Sequence, residues 1–130
     1  MPISYSIDTE AGIVLTKASG RLSDEDILGH KKSLIEDPRF EPGMREISDV
    51  RDVTELAVTP TGIRTFVSFD RASATDRSGH RLAIVASEDF VFGTARMYQM
   101  TGSEDDSVGV FRCLDEARAW LGVETPSRSS

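Results

Sequence analysis

The chain has one cysteine, Cys113, among 130 residues, so no disulfide can close within it and nothing ties it to an oxidising compartment. Long apolar runs are missing as well; no stretch approaches the roughly 20 residues that span a bilayer. The opening Met1-Pro2-Ile3-Ser4-Tyr5 has neither the basic segment nor the apolar stretch of a signal peptide, and a cytoplasmic protein is expected. There is no Lys/Arg run, and 15 basic against 22 acidic residues leave a net charge of −7. Such a balance repels nucleic acid and anionic membrane on average, so neither partner is expected. Glycine-rich phosphate loops, serine elbows and paired catalytic acids are absent too. His30 and His80 stand far apart, and neither has a Cys or acid at metal-ligand spacing. No metal, no cofactor and no catalysis are expected.

What is present reads as one α/β domain. Hydrophobic residues make up 38% and charged residues 28%, which suits a folded chain and is too apolar for a disordered one. Tyr5 and Ile7, then Ile13-Val14-Leu15, flank a polar connection ending in Gly12, the pattern of a hairpin. Ser23 precedes Asp24, Glu25 and Asp26, an N-cap followed by acids that the helix dipole favours, with Asp26 placed as in a capping box. Ile27, Leu28, Leu34 and Ile35 form the buried stripe of that first helix, His30 edges the stripe, and Pro38 ends the helix.

A third strand covers Ile47 to Val53, a loop takes Thr54 to Thr59, and Pro60-Thr61-Gly62 opens a second helix reaching about Ala74. Residues 76–80 read as a turn. Leu82-Ala83-Ile84-Val85-Ala86 is uniformly apolar, the mark of a central parallel strand buried on both faces. A third helix from about Phe90 to Thr101 stops at Gly102, residues 103–107 form a loop, and Val108, Val110 and Phe111 make a last strand. Ala117, Trp120 and Leu121 line a final helix ended by Gly122. The domain therefore occupies residues 1–122, and residues 123–130 form a mobile tail.

The resulting order is β-β-α-β-α-β-α-β-α. A mixed, mostly parallel sheet with an N-terminal hairpin and about four helices follows from the alternation. Four stretches carry a resemblance: Gly20-Arg21-Leu22-Ser23 leaving strand two, the strand with Asp49, Arg81-Leu82-Ala83-Ile84-Val85, and the ending from Val110-Phe111 through Glu116-Ala117 to Trp120-Leu121. Their order and spacing resemble the STAS fold of anti-sigma-factor antagonists, and more closely its SpoIIAA-like group of small bacterial proteins. That resemblance implies a non-catalytic interaction module, with a phospho-acceptor at the start of the helix after strand three. Thr59-Pro60-Thr61-Gly62 matches that place, with Thr61 at the acceptor position. Thr59 and Pro60 stand where the antagonists have Asp and Ser. A plain helix cap at Thr59 or Thr61 is the alternative.

Two surfaces stand out. Asp49, Arg51 and Asp52, with Gly62, form a polar crest near the end of strand three, where α/β proteins often bind partners; solvated or paired charges are the bland reading. Phe66, Phe90, Phe92, Met97, Tyr98 and Met100 crowd the second and third helices beyond what one stripe buries easily. They suggest core packing, a dimer or protein-partner surface, or a groove for a small apolar ligand or lipid between the two helices. Cys113, beside Val110-Phe111, reads as a small buried or half-buried thiol.

Overall fold

A computed structural model describes residues 2–41, 43–73, 81–102 and 107–123. Nine elements alternate along them: β1 (Ile3–Asp8), β2 (Ile13–Ser23), α1 (Asp24–Glu36), β3 (Arg45–Ala57), α2 (Pro60–Ser73), β4 (Arg81–Val85), α3 (Asp89–Gly102), β5 (Val108–Phe111) and α4 (Leu114–Leu121). The expected turn at 76–80 with His80, the loop at 103–106 and the tail from residue 124 lie outside the described residues.

The sheet runs β1-β2-β3-β4-β5. β1 is antiparallel to β2, and every later pair is parallel. From β2 onward the strands are added in one direction only. Crossovers of one hand then deliver α1, α2 and α3 to the same face of the sheet. α4, which follows the last strand, packs on the other.

Side-chain alternation sorts the core accordingly. Val50, Ile84 and Leu22 face the three helices with Val91 and Ala95 of α3. Val14, with Leu34 of α1 and Met44, forms a smaller cluster beside Tyr5 and Phe40. Ile13, Ile47, Ala83 and Val85 face Ala117 and Leu121 of α4. β4 is interior and parallel as its composition requires, but the middle of the five strands is β3.

β3 is also longer than its apolar run suggests, absorbing Thr54 to Ala57. The reason lies in its neighbour: β2 continues in parallel register as far as Ser23↔Ala57, whereas β4 pairs only with Arg45 to Asp49. The two long strands project beyond the rest of the sheet, with irregular register between Lys17 and Ser19 and again at Gly20, whose φ is 71°. Glycine takes that backbone conformation without penalty.

α1 starts where its sequence says it should. Asp26 N donates to Ser23 Oγ at 3.2 Å, and Ser23 N donates to Asp26 Oδ2 at 3.0 Å, closing the capping box with Asp in the place of the usual Glu. Cys113 is exposed, contrary to the expectation of a buried thiol. It sits at the N-cap of α4, where the chain leaves β5.

Leu15 and Ile47 are register partners on the α4 face, yet Leu15 is 38% exposed and Ile47 only 2%. Ile47→Ala should cost about 2–5 kcal/mol in denaturant melts. Leu15→Ala should cost no more than about 0.5 kcal/mol. Equal losses would contradict the placement of α4.

Candidate functional site

α2 is the element that makes room. Ile63, Phe66 and Val67 turn inward from it, but its main backbone approaches are to α1 and α3, not to a strand. It spans its two neighbours as a roof. Beneath it lies a cavity of about 490 Å³, floored by side chains such as Val50 and Ile84 and walled by Ile63, Phe66 and Ala95. Ligand cavities typically hold about 300–1,000 Å³ and pair apolar walls with a few placed polar groups.

Two polar groups meet this cavity. The first ties α1 to the sheet. Thr16 of β2 donates from Oγ1 to Glu46 Oε2 of β3 at 2.7 Å, and His30 Nε2 of α1 lies 3.2 Å from the same oxygen. A carboxylate only accepts, so Nε2 carries the histidine's proton. The Tyr5 and His30 rings meet edge to face, 5.4 Å between centroids. Thr16 and Glu46 are 4% and 8% exposed. Burial by itself would raise the Glu46 carboxyl. The hydrogen bond and charge of His30, the Thr16 hydrogen bond and the charge of Lys31 together outweigh burial, and the net displacement is below the ordinary carboxyl range.

The second group joins three helices. Lys31 Nζ of α1 donates to both oxygens of Asp70 on α2, at 3.0 and 3.2 Å, and to Tyr98 Oη of α3 at 3.2 Å. Tyr98 Oη donates in turn to Asp70 Oδ2. Burial disfavours the Lys31 ammonium, but Tyr98 and Asp70 more than offset it and raise its hold on the proton. Burial, then Asp70 against the opposing pull of Lys31, pushes the Tyr98 phenol up to about 12. Lys31 and Tyr98 are thus both held protonated across neutral pH.

The residues singled out in the sequence scatter over several places. Thr59 is the cap of α2: its Oγ1 accepts Gly62 N–H at 2.9 Å and donates to Asp24 Oδ2 at 2.6 Å, while Thr59 N donates to Asp24 Oδ1 at 3.0 Å. The Asp24 carboxylate thus sits against the start of α2, so close that a Cβ on Gly62 would lie 2.1 Å from it. Thr61 is exposed in the first turn and accepts from Arg64 at 3.2 Å. Asp49 and Arg51 pair with each other at 2.8 Å, and Asp52 pairs with Lys17 at 3.3 Å. These charges lie along β3 well before α2, because the strand continues to Ala57. The structure does not bring them together with Gly62.

The aromatic segment divides as well. Phe66 and Tyr98 meet edge to face, 6.5 Å apart, and line the cavity. Phe92 lies under the Arg112 guanidinium at 3.9 Å. Phe90, Met97 and Met100 are 49%, 43% and 66% exposed. The cavity accordingly lies under α2, between the sheet and all three helices, with Phe66 of α2 and Tyr98 of α3 both on its wall.

Sequence reasoning passed over Thr16, Lys31, Glu46 and Asp70, and placed His30 at a stripe's edge without its partner. A signal was present in the strands: Thr16 alternates with Val14 and Ala18, and Glu46 with Ser48 and Val50, at positions that face the core. Polar residues at core parity are uncommon and need partners.

No protein-family model matches the chain, and no curated protein does. Among solved structures it is similar to an uncharacterized protein from Shewanella loihica PV-4, of the DUF3478 family, with a SpoIIAA-like fold. The two share 17% identity over 92% of this chain and 93% of the other, with a TM-score of 0.55. The chain has that fold, a five-stranded, mostly parallel sheet with four helices among the described residues. No helix in the described residues is long and apolar enough to cross a membrane.

The depressed Glu46 carboxyl sets a pH dependence. Its stabilising contribution is fully present above the unfolded value of 4.5 and is lost as pH falls through its lower native value. Urea midpoints followed from about pH 7 to about pH 3 should therefore fall more steeply for wild type than for Glu46→Gln. Parallel profiles would show that Glu46 is not held ionised in the fold.

Proposed function

We propose that this SpoIIAA-like domain binds a small, largely apolar molecule in the cavity beneath α2. The observation that carries the reading is the cavity itself: about 490 Å³ of open volume inside a domain of 130 residues. Protein interiors are normally close-packed, with few voids larger than a water molecule. The space is wide enough for a small molecule, and walls such as Val50, Phe66 and Ile84 offer water few hydrogen bonds. The role is that of a binding module. The paired Lys31, Asp70 and Tyr98 hold the walls apart, which serves binding without calling for catalysis.

A direct test fills the space from within. Ala95 is 8% exposed and lines the cavity from α3, so Ala95→Phe projects a ring into it. Wild type should bind an apolar fluorescent dye saturably at one site. Ala95→Phe, folded by circular dichroism, should bind at least about tenfold more weakly, the loss of about 1.4 kcal/mol. Equal dye binding by the two proteins would sink the reading.

A second reading, a non-catalytic protein-interaction module, is favoured by the exposed stripe of Phe90, Met97 and Met100 along α3. Contiguous exposed apolar side chains often mark contacts, and a second copy of the chain is the simplest partner. Thr61, exposed on the first turn of α2, is where phosphate would switch such a contact. Under this reading, sedimentation shows a dimer that Met97→Glu dissociates. A wild-type monomer at high concentration argues against self-association.

A further inference from the structure

The polar side of the cavity says what kind of head group its occupant carries. Lys31 is fully used: its three ammonium hydrogens meet Asp70 Oδ1, Asp70 Oδ2 and Tyr98 Oη. Glu46 is not. Both of its hydrogen bonds, from Thr16 and His30, fall on Oε2, and Oε1 accepts none among the described residues. Glu46 is only 8% exposed, and no described side-chain oxygen or nitrogen shut off from solvent lacks a partner. Oε1 must then be within reach of the open space, and that space is the cavity Glu46 lines. Ser48, two residues along the same face of β3, also lines it, and its hydroxyl makes no hydrogen bond among the described residues. Residues two apart on a strand are about 7 Å apart. The floor thus offers a carboxylate acceptor beside a hydroxyl that can give or take.

We propose that the cavity takes a neutral amphiphile whose hydroxyl head donates to Glu46 Oε1 and accepts from Ser48, with its apolar chain lying beneath α2. This rests on the reading of the cavity as a binding site and adds the chemistry of the occupant. An anionic head, such as a fatty acid carboxylate, would be set against the buried Glu46 carboxylate and repelled. A cationic head would have to leave water at several kcal/mol. It would also enter beside Lys31, which is close enough to Glu46 to act on its charge. A hydroxyl meets neither obstacle and satisfies the open acceptor. At the ~30 Å³ that a water-sized group takes in a liquid, the cavity holds about 16 non-hydrogen atoms. A saturated alcohol of about 12 carbons fits within that limit.

The experiment compares dodecanol, dodecanoate and dodecylamine, equal in chain and different in head, by calorimetric titration of the full chain at neutral pH. Dodecanol should bind at least about tenfold more tightly than either charged analogue. In Glu46→Gln, with its fold checked by circular dichroism, the alcohol should lose about tenfold, as for a hydrogen bond to a charged group, and the discrimination against dodecanoate should collapse. Ser48→Ala should weaken the alcohol by a smaller factor and leave the discrimination in place. Dodecanoate or dodecylamine binding as tightly as dodecanol to wild type would overturn the proposal, and that comparison stands even if Glu46→Gln fails to fold. Discrimination unchanged in a folded Glu46→Gln would overturn it too. If the apolar dye binds in the cavity while all three amphiphiles fail, only the head-group assignment falls. If the dye fails as well, the binding reading falls with it.

Discussion

Everything above the sheet depends on one contact, the meeting of Lys31, Asp70 and Tyr98. Each comes from a different helix, and together they set how far apart α1, α2 and α3 stand. Helices on a sheet ordinarily settle by sinking apolar ridges into the surface below, until no void is left. Here α2 meets its two neighbours and stands clear of the strands. A charged contact suits that task better than an apolar one. Its geometry is fixed by donors and acceptors, and it forms only when all three groups arrive together. Removing any one leaves the others buried without full compensation, which is costly.

The same asymmetry traces back to topology. Because β2 to β5 are laid down in one direction, three crossover helices crowd one face and α4 is left alone on the other. The α4 face is packed tightly through Ile47, Val85, Ala117 and Leu121. The crowded face adds polar ties to its apolar core of Leu22, Val50, Ile84, Val91 and Ala95. α1 buries Leu34 and packs Ile27 on the core, and to these it adds the Asp24–Thr59 bond, the His30–Glu46 pair, the Lys31 contact and, just past its end, the bond from Tyr5 to Asp37. Both faces of the sheet carry apolar core, and the three-helix face also keeps space.

Much of the architecture was legible in the residues. The hairpin, the Ser23 capping box, the apolar β4 and the Gly122 stop all express local rules, and they appear where the rules put them. The length of β3 was not legible, because Thr54 to Ala57 become strand only through pairing with β2. The cavity was half visible. Phe66 and Tyr98 were marked as a crowd too large for one stripe, and they do line it. Its polar side was missed because each member looks ordinary alone. Lys31 and Asp70 are 39 residues apart, and His30 and Glu46 are 16 apart; no spacing rule joins them. The crest of Asp49, Arg51 and Asp52 drew notice from its position near a strand end, but the strand runs on and the charges pair locally.

The central claim is that the space under α2 is a binding cavity and not a packing defect. Methyl-resolved NMR of protein labelled at Ile, Leu and Val tests it most directly, by titration with dodecanol. The account predicts saturable shifts and intermolecular contacts at Leu22, Val50, Ile63 and Ile84, which line the cavity. Ile13, Ile47 and Val85, on the α4 face, should stay in place. Shifts spread over both faces, or none at any methyl, would contradict it.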